Sequence, residues 1–232
     1  MASVNSVETF GLVDGPGIRT VVFFNGCKLR CKFCHNPEML KKQEDNTSID
    51  ELYNKILRSK PYFKDNGGVT FSGGEPLLHI DFLIPLCKKL KEDNIHIALD
   101  TAGVGLGDYE ELLKYIDLVI LDIKDYREDY YKDMTGHSID DYNFFLSEVQ
   151  RLKKKLWLRQ VVTPGYTDSM EYMKGLKEYI SNIKNVERIE LLPYHTMAID
   201  KYKKLNMEYK LEGVPEMDKK RCEELEQFLR QK

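Results

Sequence analysis

Asn25-Gly26-Cys27-Lys28-Leu29-Arg30-Cys31-Lys32-Phe33-Cys34-His35-Asn36-Pro37 holds three of the chain's five cysteines within eight residues. Glycine, asparagine and proline flank them, so the stretch reads as a loop on which several thiolates can converge, and convergent thiolates point to metal. Three readings compete for this loop. Cys31-Lys32-Phe33-Cys34-His35 satisfies the C-x-x-C-H signal of covalent haem, but that attachment needs only two cysteines and leaves Cys27 idle. Structural zinc wants four protein ligands. His35, next to Cys34, is badly placed as a fourth, and Cys87 and Cys222 stand far away in sequence. A cubane iron–sulfur cluster normally takes four cysteines. Three would leave one iron open for an outside ligand, which is a reactive position.

Outward from this loop, short apolar runs alternate with longer amphipathic ones, the pattern of β-α units and a parallel sheet. The strands read at Thr20–Phe24, Val69–Phe71, Ile95–Leu99, Leu118–Leu121, Leu156–Val162 and Arg188–Leu192. Helices are predicted at Ile49–Ser59, Asp81–Glu92, Tyr109–Tyr115, Asp141–Lys153, Met170–Asn182 and Asp218–Gln231. Ser48 with Glu51 three residues on is a capping-box pattern for the first of these. Six such units fit either a doubly wound sheet or a curved partial barrel. Five of the six strands end in a polar or Gly-rich cluster, and ligands bind where parallel strands end. One shared mouth is easier to arrange on a curved sheet.

At 232 residues one α/β domain is expected over residues 1–232, with the loop at 25–37 and an irregular C-terminal excursion and helix over 197–232. A charged content of 31% with a net charge of only -3 gives no basic field for nucleic acid and no acidic tail. The first ten residues carry Glu8 and lack the regions of an export signal, and no run approaches a membrane span. The expectation is a soluble, cytoplasmic protein with no nucleic-acid or membrane partner. The odd, clustered cysteines fit a reducing compartment. Cys87 and Cys222 fall in predicted helices and read as inert, half-buried packing residues.

Cys27-x3-Cys31-x2-Cys34, with an aromatic before the last cysteine, resembles the cluster loop of the radical S-adenosylmethionine (radical SAM) enzymes. Val13-Asp14-Gly15-Pro16-Gly17-Ile18-Arg19 and His35-Asn36 resemble a narrower group, the activating enzymes of glycyl radical enzymes. Residues 35 to 72 contain no cysteine and leave no room for an inserted ferredoxin-like domain. That favours the type that activates pyruvate formate-lyase, with which Tyr209 to Val214 agree.

The resemblance implies a partial (β/α)6 radical SAM barrel of parallel strands, with a [4Fe-4S] cluster on Cys27, Cys31 and Cys34. It implies reductive cleavage of S-adenosylmethionine and removal of a hydrogen from a backbone glycine of pyruvate formate-lyase by a 5′-deoxyadenosyl radical, under anaerobic conditions. Flavodoxin or ferredoxin would supply the electron, and a monomer is expected. An activator of a different glycyl radical enzyme, a radical SAM enzyme acting on a small molecule, and a non-catalytic zinc or haem protein are the alternatives.

Individual residues carry two readings each. Ser72-Gly73-Gly74-Glu75-Pro76 is a turn by itself; the resemblance gives Gly73, Gly74 and Glu75 the methionyl amino group of the cofactor. Asp100 and Thr101 could form an N-cap pair, and Asp122 with Lys124 a solvated pair. The resemblance places Asp100, Asp122, Ile123 and Lys124 by the cofactor, and sets Asp100, Thr101 and Asp122 about a Na+ or K+ ion, which oxygen ligands suit. Phe33 would line the adenine side or simply pack, His35 counts among the cofactor-binding residues, and His195, otherwise a capped histidine, would by resemblance contact the adenosine. Arg159 sits on an apolar strand and must find a carboxylate or face the mouth. Asp14 reads as a turn former, or by resemblance as a neighbour of the incoming glycyl peptide. Gln160 and Thr163 stand where a more apolar strand end is expected, and Ile120 where some members have methionine.

Overall fold

The computed structural model describes residues 1–231; Lys232, the last residue of the expected domain, lies outside them. Seven strands form one sheet in chain order: β1 (Val4–Gly11), β2 (Arg19–Phe24), β3 (Gly68–Gly73), β4 (His96–Thr101), β5 (Leu118–Asp122), β6 (Lys155–Val162) and β7 (Val186–Pro193). Pairings from β2 to β7 are all parallel, as expected. β1 corrects the expectation of parallel strands alone, because it runs antiparallel to β2. Its sequence, Val-Asn-Ser-Val-Glu-Thr-Phe-Gly, buries only Val4, so it carries no sustained apolar alternation to announce an edge strand.

The helices are α1 (Ile49–Phe63), α2 (Ile80–Glu92), α3 (Tyr109–Leu113), α4 (Glu128–Thr135), α5 (Asp140–Arg151), α6 (Met170–Ser181), α7 (Ile199–Lys204) and α8 (Lys219–Arg230). The capping box forms: Glu51 N–H donates to Ser48 Oγ at 3.2 Å, and Ser48 N–H donates to Glu51 Oε2 at 2.9 Å. α1 runs on past the predicted end at Ser59 because Phe63 still reaches the core. α4 and α7 escape the sequence pattern. Each buries too few apolar residues to establish a helical period, and α7 turns part of the expected irregular excursion into a helix.

Two apolar clusters divide the work of packing. The large one joins helices to the outer face of the sheet. A small one, Ala98, Leu118 and Ile120 with Trp157 against it, lies on the inner face. Ile120 is thus fully buried there. Arg159 on β6 reaches Asp100 on β4 at 3.6 Å and donates to the Val13 carbonyl in the β1–β2 loop. Only a sheet curled on itself brings these three together, and β1 and β7 remain unpaired with each other, so the barrel is open. Cys87 and Cys222 are fully buried, not half-buried, and burial raises both thiols, Cys222 to about 11, which leaves them unreactive.

Candidate cluster and cofactor site

The cysteine loop leaves the end of β2 and is fixed from several sides. Gly26 N–H donates to Met39 O at 2.7 Å and Cys27 N–H to Leu40 O at 3.2 Å. Further on, Arg30 and Lys32 N–H donate to Thr135 and Met134 O at 2.8 and 2.9 Å, which ties the loop to the end of α4. α7 clamps the far side. The Lys201 ammonium bonds His35 O at 3.1 Å, Asn36 Oδ1 at 3.0 Å and Glu38 Oε1 at 2.7 Å.

Held this way, Cys27, Cys31 and Cys34 line one cavity of about 220 Å³ at the C-terminal ends of the strands. Among the described residues, no three His, Cys, Asp or Glu side chains close on a point that one metal ion could occupy. A set of three thiols on one wall is one donor short of the four that structural zinc takes. It suits a cubane, in which each cysteine bonds a different iron. Burial, first of all, pushes Cys27 up to about 12 and Cys31 to about 11, and raises Cys34. The bare thiols therefore keep their protons, and a metal that binds here must displace them.

Across the cavity stand the strand ends. Gly73 and Gly74 line it, and their lack of a side chain is required. A Cβ on Gly73, at φ +115°, would meet Phe24 N at 2.3 Å, and one on Gly74 would meet Gly26 O at 2.4 Å. The two glycines thus let β3 close against the start of the cysteine loop. Asp100, Thr101, Asp122 and Lys124 complete the wall, with Phe33 and His35 opposite. Lys124 Nζ pairs with Asp122 Oδ2 at 2.7 Å and lies 5.4 Å from the centre of the Phe33 ring. Burial alone would lower the Lys124 pKa, but the Asp122 carboxylate outweighs it and the ammonium stays charged. Asp100 accepts from Ser72 Oγ at 2.8 Å; burial raises it to about 6, with Asp122 adding to the shift and Arg159 opposing it.

Five expected site residues stand outside the cavity wall. Glu75 is fully buried and turned into the fold. Its carboxylate accepts from Leu77 N–H at 3.0 Å, Thr101 Oγ1 at 2.6 Å and Ala102 N–H at 2.9 Å, and burial raises it to about 7. Ile123 is buried, with its N–H on Arg159 O at 2.7 Å. Arg159 has found the carboxylates it needed, Glu190 Oε2 at 2.8 Å and Asp100. Asp14 lies among Arg159, Arg19 and Glu190, and burial raises its pKa. His195 stands edge-on to His35, ring centres 4.1 Å apart, with its Nδ1 buried and unpartnered.

Ser72, Ala102 and Val161 also line the cavity. Ser72 and Val161 were legible in principle, since each lies two residues from another inward-facing position, Thr70 and Arg159 respectively. Gln160 and Thr163 are buried; the Gln160 amide N–H donates to the Tyr172 hydroxyl, whereas Gln160 Oε1 and Thr163 Oγ1 have no partner among the described residues.

The family model described as the radical SAM superfamily matches residues 21–176. The pyruvate formate-lyase-activating enzyme of Clostridium pasteurianum is 51% identical over 233 residues, spanning 100% of this chain and 98% of its own. That of Streptococcus mutans is 43% identical over 221 residues, covering 91% and 84%. In fold, the chain resembles a radical SAM methyltransferase from Sphaerobacter thermophilus, with a TM-score of 0.64 at 16% identity over 99% of this chain and 75% of that one. Sequence, cysteine loop and strand order therefore agree that the chain belongs to the radical SAM superfamily and, within it, to the pyruvate formate-lyase-activating enzymes.

Proposed function

We propose that this chain installs the glycyl radical of pyruvate formate-lyase. The observation that carries the reading is a single cavity walled by three thiols on one side and by Asp100, Asp122 and Lys124 on the other. When bound, a [4Fe-4S] cluster and S-adenosylmethionine supply a one-electron cleavage whose 5′-deoxyadenosyl radical takes hydrogen from a backbone glycine of the partner. Cys27, Cys31 and Cys34 would hold the cluster as thiolates, their protons released to solvent. Gly73 and Gly74 bring backbone against the amino group of the cofactor, and Glu75 fixes that backbone in place. Lys124, kept charged by Asp122, faces the carboxylate of the cofactor, with Phe33, His35 and His195 toward its adenosine. Ile123 and Arg159 support this wall from behind.

Asp100, Thr101 and Asp122 present oxygens for Na+ or K+, and a cation there relieves the repulsion that helps raise Asp100. Asp14 receives the glycyl segment. The same proposal includes one domain over residues 1–232, a monomer, a cytoplasmic setting, and reduction by flavodoxin or ferredoxin. A continuous sheet supports the single domain, and no helix among the described residues is long and apolar enough to cross a membrane.

The test is electron paramagnetic resonance on anaerobically reconstituted protein with S-adenosylmethionine, a strong reductant and inactive pyruvate formate-lyase. A persistent glycyl radical formed in step with 5′-deoxyadenosine is expected. 5′-Deoxyadenosine without that radical would move the partner to another glycyl radical enzyme, and neither product from an intact cluster would overturn the reading.

A further inference from the structure

Cys31 belongs to the walls of two cavities, and of the three clustered cysteines it alone does so. One is the cofactor cavity. The other, of about 120 Å³, lies between the cysteine loop and the segment that begins with α7. Leu40, Tyr202 and the partly exposed Met207 give it apolar walls. Arg30, Lys32 and Lys210 stand around it with one carboxylate, Glu208. Arg30 and Lys210 are exposed, and their charges are not cancelled. The Arg30 guanidinium donates to Cys27 O and Leu29 O, both at 2.7 Å, and Lys210 pairs with no carboxylate among the described residues. Only Lys32 has an acidic partner, Asp133 at 2.6 Å. The last turn of α7 adds Lys203 and Lys204, both exposed. This is a local excess of positive charge on a chain whose net charge is -3.

We propose that this second cavity is the docking seat of the electron donor, an acidic carrier protein that sets the apolar edge of its flavin against Leu40, Tyr202 and Met207 while its carboxylates meet Arg30 and Lys210. The proposal rests on the reaction assigned above and on Cys31 as a cluster ligand. The donor loses one electron and the cluster gains one; no bond forms or breaks. Electron transfer weakens steeply with distance, and Cys31 is the residue that joins this recess to the iron. The cofactor cavity has to hold S-adenosylmethionine and receive the glycyl segment, so a donor entering there would compete with both. A separate seat lets all three be bound at once. On a chain of net negative charge an acidic partner is repelled elsewhere and steered to the basic recess. A planar flavin edge can enter that recess, whereas a carrier whose own iron–sulfur cluster is wrapped in a cysteine loop stays outside it.

The test uses the anaerobically reconstituted full chain and measures equilibrium binding of oxidised flavodoxin through its flavin fluorescence. Lys210→Glu should weaken binding about tenfold at low salt and make it less salt-sensitive than in the wild type. Lys174→Glu, the same change of net charge at an exposed position of α6, should leave the affinity unchanged. Met207→Gln should weaken binding to the same degree at every salt concentration. Dithionite should bring Lys210→Glu and Met207→Gln to the wild-type electron paramagnetic resonance signal of the reduced cluster. Equal affinity in Lys210→Glu overturns the proposal. So does a loss confined to the binding of a ferredoxin or of inactive pyruvate formate-lyase, which would give the face to another protein, and so does a lost dithionite signal, which would place the effect in the cluster. If the wild type itself holds no dithionite-reducible cluster, the reading of the cysteine loop fails, whatever Lys210→Glu binds.

Discussion

Glu75 accepts hydrogen bonds from Leu77, Thr101 and Ala102, which join the end of β3 to the end of β4. Its motif is legible in sequence, but its direction is not, because two of the three donors come from residues 26 and 27 positions downstream. The cysteines, the paired glycines and the strand-end polar residues are legible because their chemistry is local. Glu75→Ala should lower the unfolding free energy of the cluster-free protein by about 3 kcal/mol, measured by denaturant titration, since buried donors are left unpaired. Lys124→Ala leaves only the partly exposed Asp122 without its partner, so it should keep most of that stability and the cluster while weakening S-adenosylmethionine binding. Equal affinity by equilibrium binding would remove Lys124 from the site. His79 is buried with its ring on Asn25 O at 2.8 Å, and burial lowers its pKa from 6.5. The unfolded chain therefore takes up a proton below pH 6.5 that the fold resists, and stability is lost as pH falls through that region. Wild type should lose up to about 1.4 kcal/mol more than His79→Gln between pH 7.5 and 5.5.

At the scale of elements, the parallel strands and their helices were legible from periodicity, to within a few residues at each end. β1, α4 and α7 were not, because their burial is a property of where they dock and not of their own pattern. α4 and α7 are nonetheless the pieces that hold the cysteine loop. α7 does so through one ammonium with three oxygen partners. Lys201→Met should leave global stability within about 1 kcal/mol, since the side chain is partly exposed. It should speed amide hydrogen exchange selectively across residues 34–38, as read by mass spectrometry, because that segment opens locally. Unchanged exchange there would show that the backbone bonds of the loop suffice.

For the whole molecule, an inner face too sparsely apolar to fill the barrel leaves its charges to organise one another. Arg159 is the hub, between Asp100, Glu190 and the Val13 carbonyl. The sequence showed that this buried guanidinium needed a partner, but not which, because curvature chooses it. Arg159→Met should cost roughly 3 kcal/mol at pH 7.5 by leaving Asp100 without its cation, while Glu190 keeps Arg188 at 2.6 Å. The loss should shrink below pH 6, where Asp100 takes up a proton, and a pH-independent loss would assign the effect to packing.

The bond from Arg159 to Val13 has a mechanical meaning as well. Around most of the cylinder neighbouring strands are laced by a full backbone ladder, whereas β1 and β7 share none, and on that side the ties come from side chains: Arg159 to the Val13 carbonyl, and Lys201 of α7 to His35, Asn36 and Glu38. That side is stitched by side chains where the rest is laced by backbone, so a macromolecule approaching from the flank meets a margin with no ladder to part.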